Sequence, residues 1–177
     1  MRFSAVSAVT VVLFACLSGG TAAAAETQTA SFDPEPWQPF RATNFTAPAG
    51  RYCDFDLQVT AVEDEEEVRV DARYPDGAIR LNEYRGKLVS RFTNLATGES
   101  VLRDLSGRGF EERYPDGRTL KSFTVIGPFS FGFRDGDGFP KGYYRLSGLH
   151  SISLTQTGVR SMAVDAGPEE NMCETLG

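Results

Sequence analysis

The 177-residue chain holds one histidine, His150, and three cysteines, none of them in a C-x-x-C pair. That shortage argues against a structural zinc site, which needs four Cys or His ligands, and no metal or other cofactor is expected. There is no G-x-S-x-G elbow to support a hydrolase, no Gly-rich loop to cradle a phosphate, and no basic stripe to track a nucleic acid. No window of a dozen residues carries an apolar stripe at helical spacing. After residue 25, no apolar run approaches the ~20 residues that a spanning helix requires, so no membrane span is expected.

What is present begins with an address label. "MRF" supplies one positive charge, "AVSAVTVVLFACL" is uncharged and apolar, and "SGGTAAAA" offers small residues of the A-x-A form. These predict a signal peptide over residues 1–25, cut after Ala25, and a secreted, extracellular protein. "LFAC" also has the Leu and Ala of a lipoprotein box at Cys16. The bulky Phe14 and the A-x-A site downstream favour removal over lipidation. Cleavage leaves 17 basic against 24 acidic residues, a net charge of −7, which argues against nucleic acid or another polyanion as partner. Cys53 and Cys173 remain, and an even pair in an oxidising space predicts a disulfide.

Residues 26–50 contain four prolines and no period, and read as an extended leader from which Trp37 and Phe40 dock on the domain. The sequon at Asn44–Thr46 reads as an ordinary loop asparagine. Residues 51–177 form a single domain whose dominant signal is alternation. Phe55, Leu57, Val59 and Ala61 alternate with polar residues, as do Val68, Val70, Ala72 and Tyr74, and "FSFGF" is the cleanest case. This is the pattern of half-buried strands. "EDEEE" (Glu63–Glu67) is expected to be a solvated turn. "RYPDG" occurs twice, at Arg73–Gly77 and Arg113–Gly117. Pro suits the second position of a type I turn and Asp the third, and Gly takes the positive φ that re-enters a strand, so both copies predict hairpin tips. The reading is all-β: an antiparallel meander of about nine short strands in a closed or nearly closed barrel, with a β-sandwich as the alternative.

Candidate site residues are few. Phe129, Phe131 and Phe133 share one strand face, with Tyr144 beyond the next loop; they form either a packed core or the lining of a cavity for a small apolar molecule. Asp135 and Asp137 start like a calcium loop, but Leu146 stands at its twelfth position, so an EF-hand is excluded. His150 lacks a partner of matching strand parity.

Several segments together resemble a family of small secreted actinobacterial proteins with no activity to carry over. They are Cys53-Asp54-Phe55, "TNLATGES" (Thr93–Ser100), "LSG" at Leu105–Gly107 and Leu146–Gly148, "YPDGRT" (Tyr114–Thr119) and the terminal "MCETLG". The resemblance covers nearly all of residues 51–177 and implies a β domain closed by a terminal disulfide; "EDEEE" departs from it. The expected function is a monomeric binding or surface domain rather than an enzyme. The alternatives are a barrel enzyme of the cyclase or isomerase kind, using His150, Tyr143, Glu83 or Arg145, and an envelope-associated structural module.

Overall fold

The computed structural model describes residues 33–177; the expected signal peptide and the start of the leader lie outside them. The elements are Gln38–Pro39 (β1), Phe45–Ala47 (β2), Leu57–Arg73 (β3), Ile79–Asn94 (β4), Ser100–Asp104 (β5), Arg108–Arg113 (β6) and Leu120–Ile126 (β7). Phe129–Phe133 (β8), Gly142–Leu146 (β9), Leu149–Leu154 (β10), Arg160–Ala166 (β11), Glu169–Asn171 (β12) and the single turn Met172–Thr175 (α1) follow. All named strand pairs are antiparallel.

The expected barrel is not formed. Nine strands make one open sheet in the order β1-β3-β4-β6-β7-β10-β11, with β2 also on β3 and β5 also on β4. Three more make a second sheet in the order β12-β9-β8. The second sheet lies over the first, since Val125 of β7 and Ile152 of β10 pack in one apolar cluster with Phe129, Phe133, Tyr144 and Leu146. The arrangement fits the sandwich alternative. The plain meander fails because the chain leaves the large sheet after β7 to build β8 and β9, then returns as β10.

"EDEEE" is not a turn. It lies inside β3, a strand of 17 residues paired along its length with the 16 residues of β4. Charge complementarity across the ladder allows it: on the solvent side, Glu63 pairs with Lys87 and Glu67 with Arg85. Gly86 sits opposite Glu66, where an added Cβ would lie 2.7 Å from the Glu66 Cα, so the two backbones approach without breaking the strand. The leader binds the free edge of β3 piecewise. Glu35 N–H donates to the Val70 carbonyl, Phe40 N–H to that of Glu66, and Ala61 N–H to the Asn44 side-chain oxygen. Trp37 lies over the guanidinium groups of Arg69 and Arg85, and Phe40 meets Tyr84 edge-on at 5.1 Å.

Both "RYPDG" copies are hairpin tips, with Gly77 and Gly117 at φ +88° and +66° donating N–H to the carbonyls of Tyr74 and Tyr114. A third tip, Thr155–Gly158, repeats the bonding at β10–β11 without the sequence. Tyr links the row, and Arg braces each tip. The Tyr74 hydroxyl donates to the Arg113 carbonyl and the Tyr114 hydroxyl to the Leu154 carbonyl, each on the next hairpin. The carbonyls of Gly77, Gly117 and Gly158 accept from Arg73, Arg113 and Arg134. Tyr74→Phe and Tyr114→Phe are each expected to cost about 1 kcal/mol in chemical denaturation, as the loss of one half-buried hydrogen bond.

Cys53 and Cys173 are joined across a sequence separation of 120. The bridge ties the approach to β3 to α1, whose Leu176 carbonyl accepts from the buried Asn94 side chain. A loop of this length corresponds to about 4–5 kcal/mol in the chain-entropy treatment. Reduction, or the Cys53→Ser/Cys173→Ser pair, is expected to lower the denaturation midpoint accordingly while the folded-state circular dichroism is kept.

Candidate functional site

The three-stranded sheet covers only part of the nine-stranded one. Between its edge strand β8 and the leader segment 40–43, a half-open cleft of about 300 Å³ reaches down to the large sheet. Its floor comes from residues of one parity: Glu66 of β3, Tyr84 and Leu88 of β4, Gly109 and Glu111 of β6, and Phe123 and Val125 of β7. Phe40 and Phe129 form the walls. Gly109 leaves room for the Phe123 ring, which a Cβ there would crowd at 3.0 Å. The aromatic rings touch in series, with Phe40–Tyr84 at 5.1 Å, Tyr84–Phe123 at 6.5 Å and Phe123–Phe129 at 5.6 Å.

Two carboxylates face this cleft and differ in kind. Glu111 is paired with Arg113 and lies 3.4 Å from the Tyr84 hydroxyl. Glu66 has no cationic partner among the described residues. Burial, and then the charge of Asp64, push Glu66 up to about 7. Asp64 is held by the Ala42 N–H at 2.8 Å. Burial and Glu111 also raise Tyr84, so its phenol stays protonated.

A second charged cluster lies on the opposite face of the same strands. Glu83, fully buried, accepts from Arg69 at 2.6 Å and from Arg108. Burial raises its pKa, but the two guanidinium groups outweigh burial and hold it below the ordinary range. Asp71, at the bulge between Val70 and Ala72, is raised by burial despite Arg69 at 2.7 Å. With Trp37 stacked above, this cluster fastens the leader, β3, β4 and β6 together.

Of the four aromatic candidates, Phe129 alone borders the cleft. Phe133 is fully buried against Phe139 at 4.7 Å, and Tyr144 packs beside it with its hydroxyl on the Pro140 carbonyl. Phe131 is half-buried, stacked on Phe123 and capped by Arg160. The candidates for an enzyme are scattered, and none lines the cleft. Tyr143 is buried among Phe45, Tyr52 and Phe92, with burial raising it to about 12. Arg145 donates to the Asp104 carbonyl, and His150 faces Asp165. The "RDGDG" loop is a polar connection: Asp137 accepts the N–H groups of Arg134 and Arg160, and Asp135 pairs with Lys141.

Sequence reading missed Glu66. Counting back by twos from Val70 and Val68 lands on Glu66 and Asp64, so the signal was the alternation itself, overruled by the run of charge. The chain matches no protein family, no curated protein and no solved structure.

Glu66 holds its proton more tightly folded than unfolded, so its contribution to stability falls as pH rises from about 4.5 to about 7. Glu66→Gln is expected to melt higher than the parent at pH 8, with the gap closing towards pH 4, as read by thermal unfolding across pH.

Proposed function

We propose that the protein is an exported binding domain, held by its disulfide, that takes a small molecule with an apolar or aromatic body and a positively charged nitrogen. The observation that carries this reading is the unpaired carboxylate of Glu66 inside an aromatic-walled cleft of about 300 Å³. The volume is at the lower end of small-molecule pockets, and a few polar groups in an apolar lining fit such a role. Aromatic faces and a carboxylate in low-polarity surroundings both favour a cation over a neutral group. The apolar ligand expected from the sequence thus gains a charge, and the site moves from the Phe133–Tyr144 side to Phe40, Tyr84 and Phe123. The Cys53–Cys173 bridge supports an oxidising destination. No helix of the described residues is long and apolar enough to cross a membrane.

The test compares phenethyltrimethylammonium with its uncharged carbon isostere by isothermal titration and ligand-observed NMR. The cation is expected to bind more tightly. Glu66→Gln should weaken the cation by about tenfold or more, equivalent to ~1.4 kcal/mol or more, and leave the isostere unchanged. Phe123→Ala should weaken both. Binding that ignores Phe123 sinks the cleft, and equal binding of the two compounds sinks the charge preference.

A further inference from the structure

A separate cluster stands where the chain passes between the two sheets. The passage from β9 to β10 runs through Ser147–Gly148 and that from β11 to β12 through Gly167–Pro168, and the two lie backbone to backbone. Ser147 N–H donates to the Pro168 carbonyl at 2.9 Å, and a Cβ on Gly167, at φ +152°, would lie 1.8 Å from the Ser147 oxygen. This packing brings three side chains together. His150 of β10 and Asp165 of β11 are direct cross-strand partners, and Glu169 opens β12. One ligand atom from each lies within 4.8 Å of the other two.

The imidazole supplies the independent observation. Its Nε2 is 3.1 Å from the Ser147 carbonyl, which only accepts, so Nε2 carries the proton. Nδ1 belongs to a fully buried ring, has no hydrogen-bond partner, and lies 3.3 Å from an Asp165 carboxylate oxygen that stands off the direct hydrogen-bond line. A bare lone pair this close to a carboxylate is repulsive unless a positive species stands beside both. Among the described residues no lysine or arginine pairs with Asp165 or Glu169. An Nε2–H donated to a backbone carbonyl is also how proteins orient an imidazole for metal binding.

The geometry points to His150 Nδ1, Asp165 and Glu169 as a site for a first-row divalent transition-metal ion, with the remaining positions filled by water. Metal–ligand distances of about 2.0–2.2 Å put adjacent ligand atoms about 3–3.5 Å apart; His150 Nδ1 and Asp165 already stand at 3.3 Å, and Glu169, within 4.8 Å of both, closes on them. Asp165 is 47% exposed, which leaves a route for the ion. An imidazole with two carboxylates suits zinc or its neighbours, whereas calcium and magnesium favour all-oxygen shells. The low count of histidine and the lack of C-x-x-C hid the site, because two of its three ligands are acidic residues that folding brings to His150.

The test uses tag-free mature protein stripped with a chelator. Isothermal titration with Zn²⁺ is expected to give one site, and Asp165→Asn and Glu169→Gln, both altered at exposed positions, should each weaken it at least about tenfold. Ca²⁺ should bind far more weakly. Because the chain has a single histidine, ¹⁵N-histidine labelling yields one imidazole, whose Nδ1 resonance should shift on adding Zn²⁺ while Nε2 stays protonated. Zinc binding indifferent to both variants, calcium binding as tight as zinc, or an unmoved His150 signal overturns the proposal. Nδ1 and Nε2 both protonated at pH 7 in the presence of Zn²⁺ would assign the bridging charge to a proton instead, and overturn it equally.

Discussion

A three-stranded sheet is too narrow to cover a nine-stranded one, and most of this protein's architecture answers that mismatch. Where β8 and β9 do cover the large sheet, apolar side chains interlock into a filled interior. Where they stop, the same inward-facing rows of β3, β4, β6 and β7 continue without a roof. The leader, bonded along the β3 edge, supplies a second wall through Phe40, and the gap between it and β8 is the cleft. The pocket is therefore a by-product of unequal sheet widths, given character by the residues that happen to lie on the uncovered stretch. A barrel would have closed over those rows and left no such groove.

Charge is sorted by the same strands. In β3, successive acidic residues face opposite ways, so a single run serves two environments. Glu63 and Glu67 meet cations on the outside, where exposed pairs contribute little each. Glu66 faces inward, where burial raises its pKa. Glu83 is the reverse case, an outer-face residue made interior beneath two arginines, one of which carries a tryptophan on its guanidinium group. Removing one partner from such a buried group is costlier than the pair's net contribution suggests, since a desolvated charge is left behind. The tryptophan comes from the leader, so the leader is part of the domain's charge balance as well as of the cleft wall.

The turns and strands were the most legible features because they depend on local rules. Pro, Asp and Gly at the tips answer backbone needs within four residues, and two-residue alternation marks a half-buried strand wherever it occurs. The disulfide followed from compartment and parity. "EDEEE" misled because charge density was weighed above the period that continues through it, and the opposing cations lie some twenty residues away. The second sheet was invisible for a similar reason: β8 and β9 alternate like their neighbours, and nothing in them states which sheet they join. Phe133 and Phe129 are four residues apart on one strand and both belong to the core, yet only Phe129 also borders the cleft, a distinction set by where β8 meets the edge. The gathering of His150, Asp165 and Glu169 depends on two crossovers touching, which no local pattern encodes.

The row of hairpin tips carries a consequence for how wide such a sheet grows. A tyrosine at the first position of a tip projects a hydroxyl sideways and finds a carbonyl only if another hairpin stands next in line. Tyr74 and Tyr114 each have that neighbour. The third tip starts with Thr155, whose hydroxyl turns back to its own loop, on Thr157 and the Val159 N–H. Beyond it, the start of β11 is occupied by the 137–138 loop, through Gly138 N–H on the Arg160 carbonyl and Asp137 on the Arg160 N–H. In this row the two tips that have a neighbour carry a tyrosine bonded across to it, and the last tip carries a threonine bonded within its own loop.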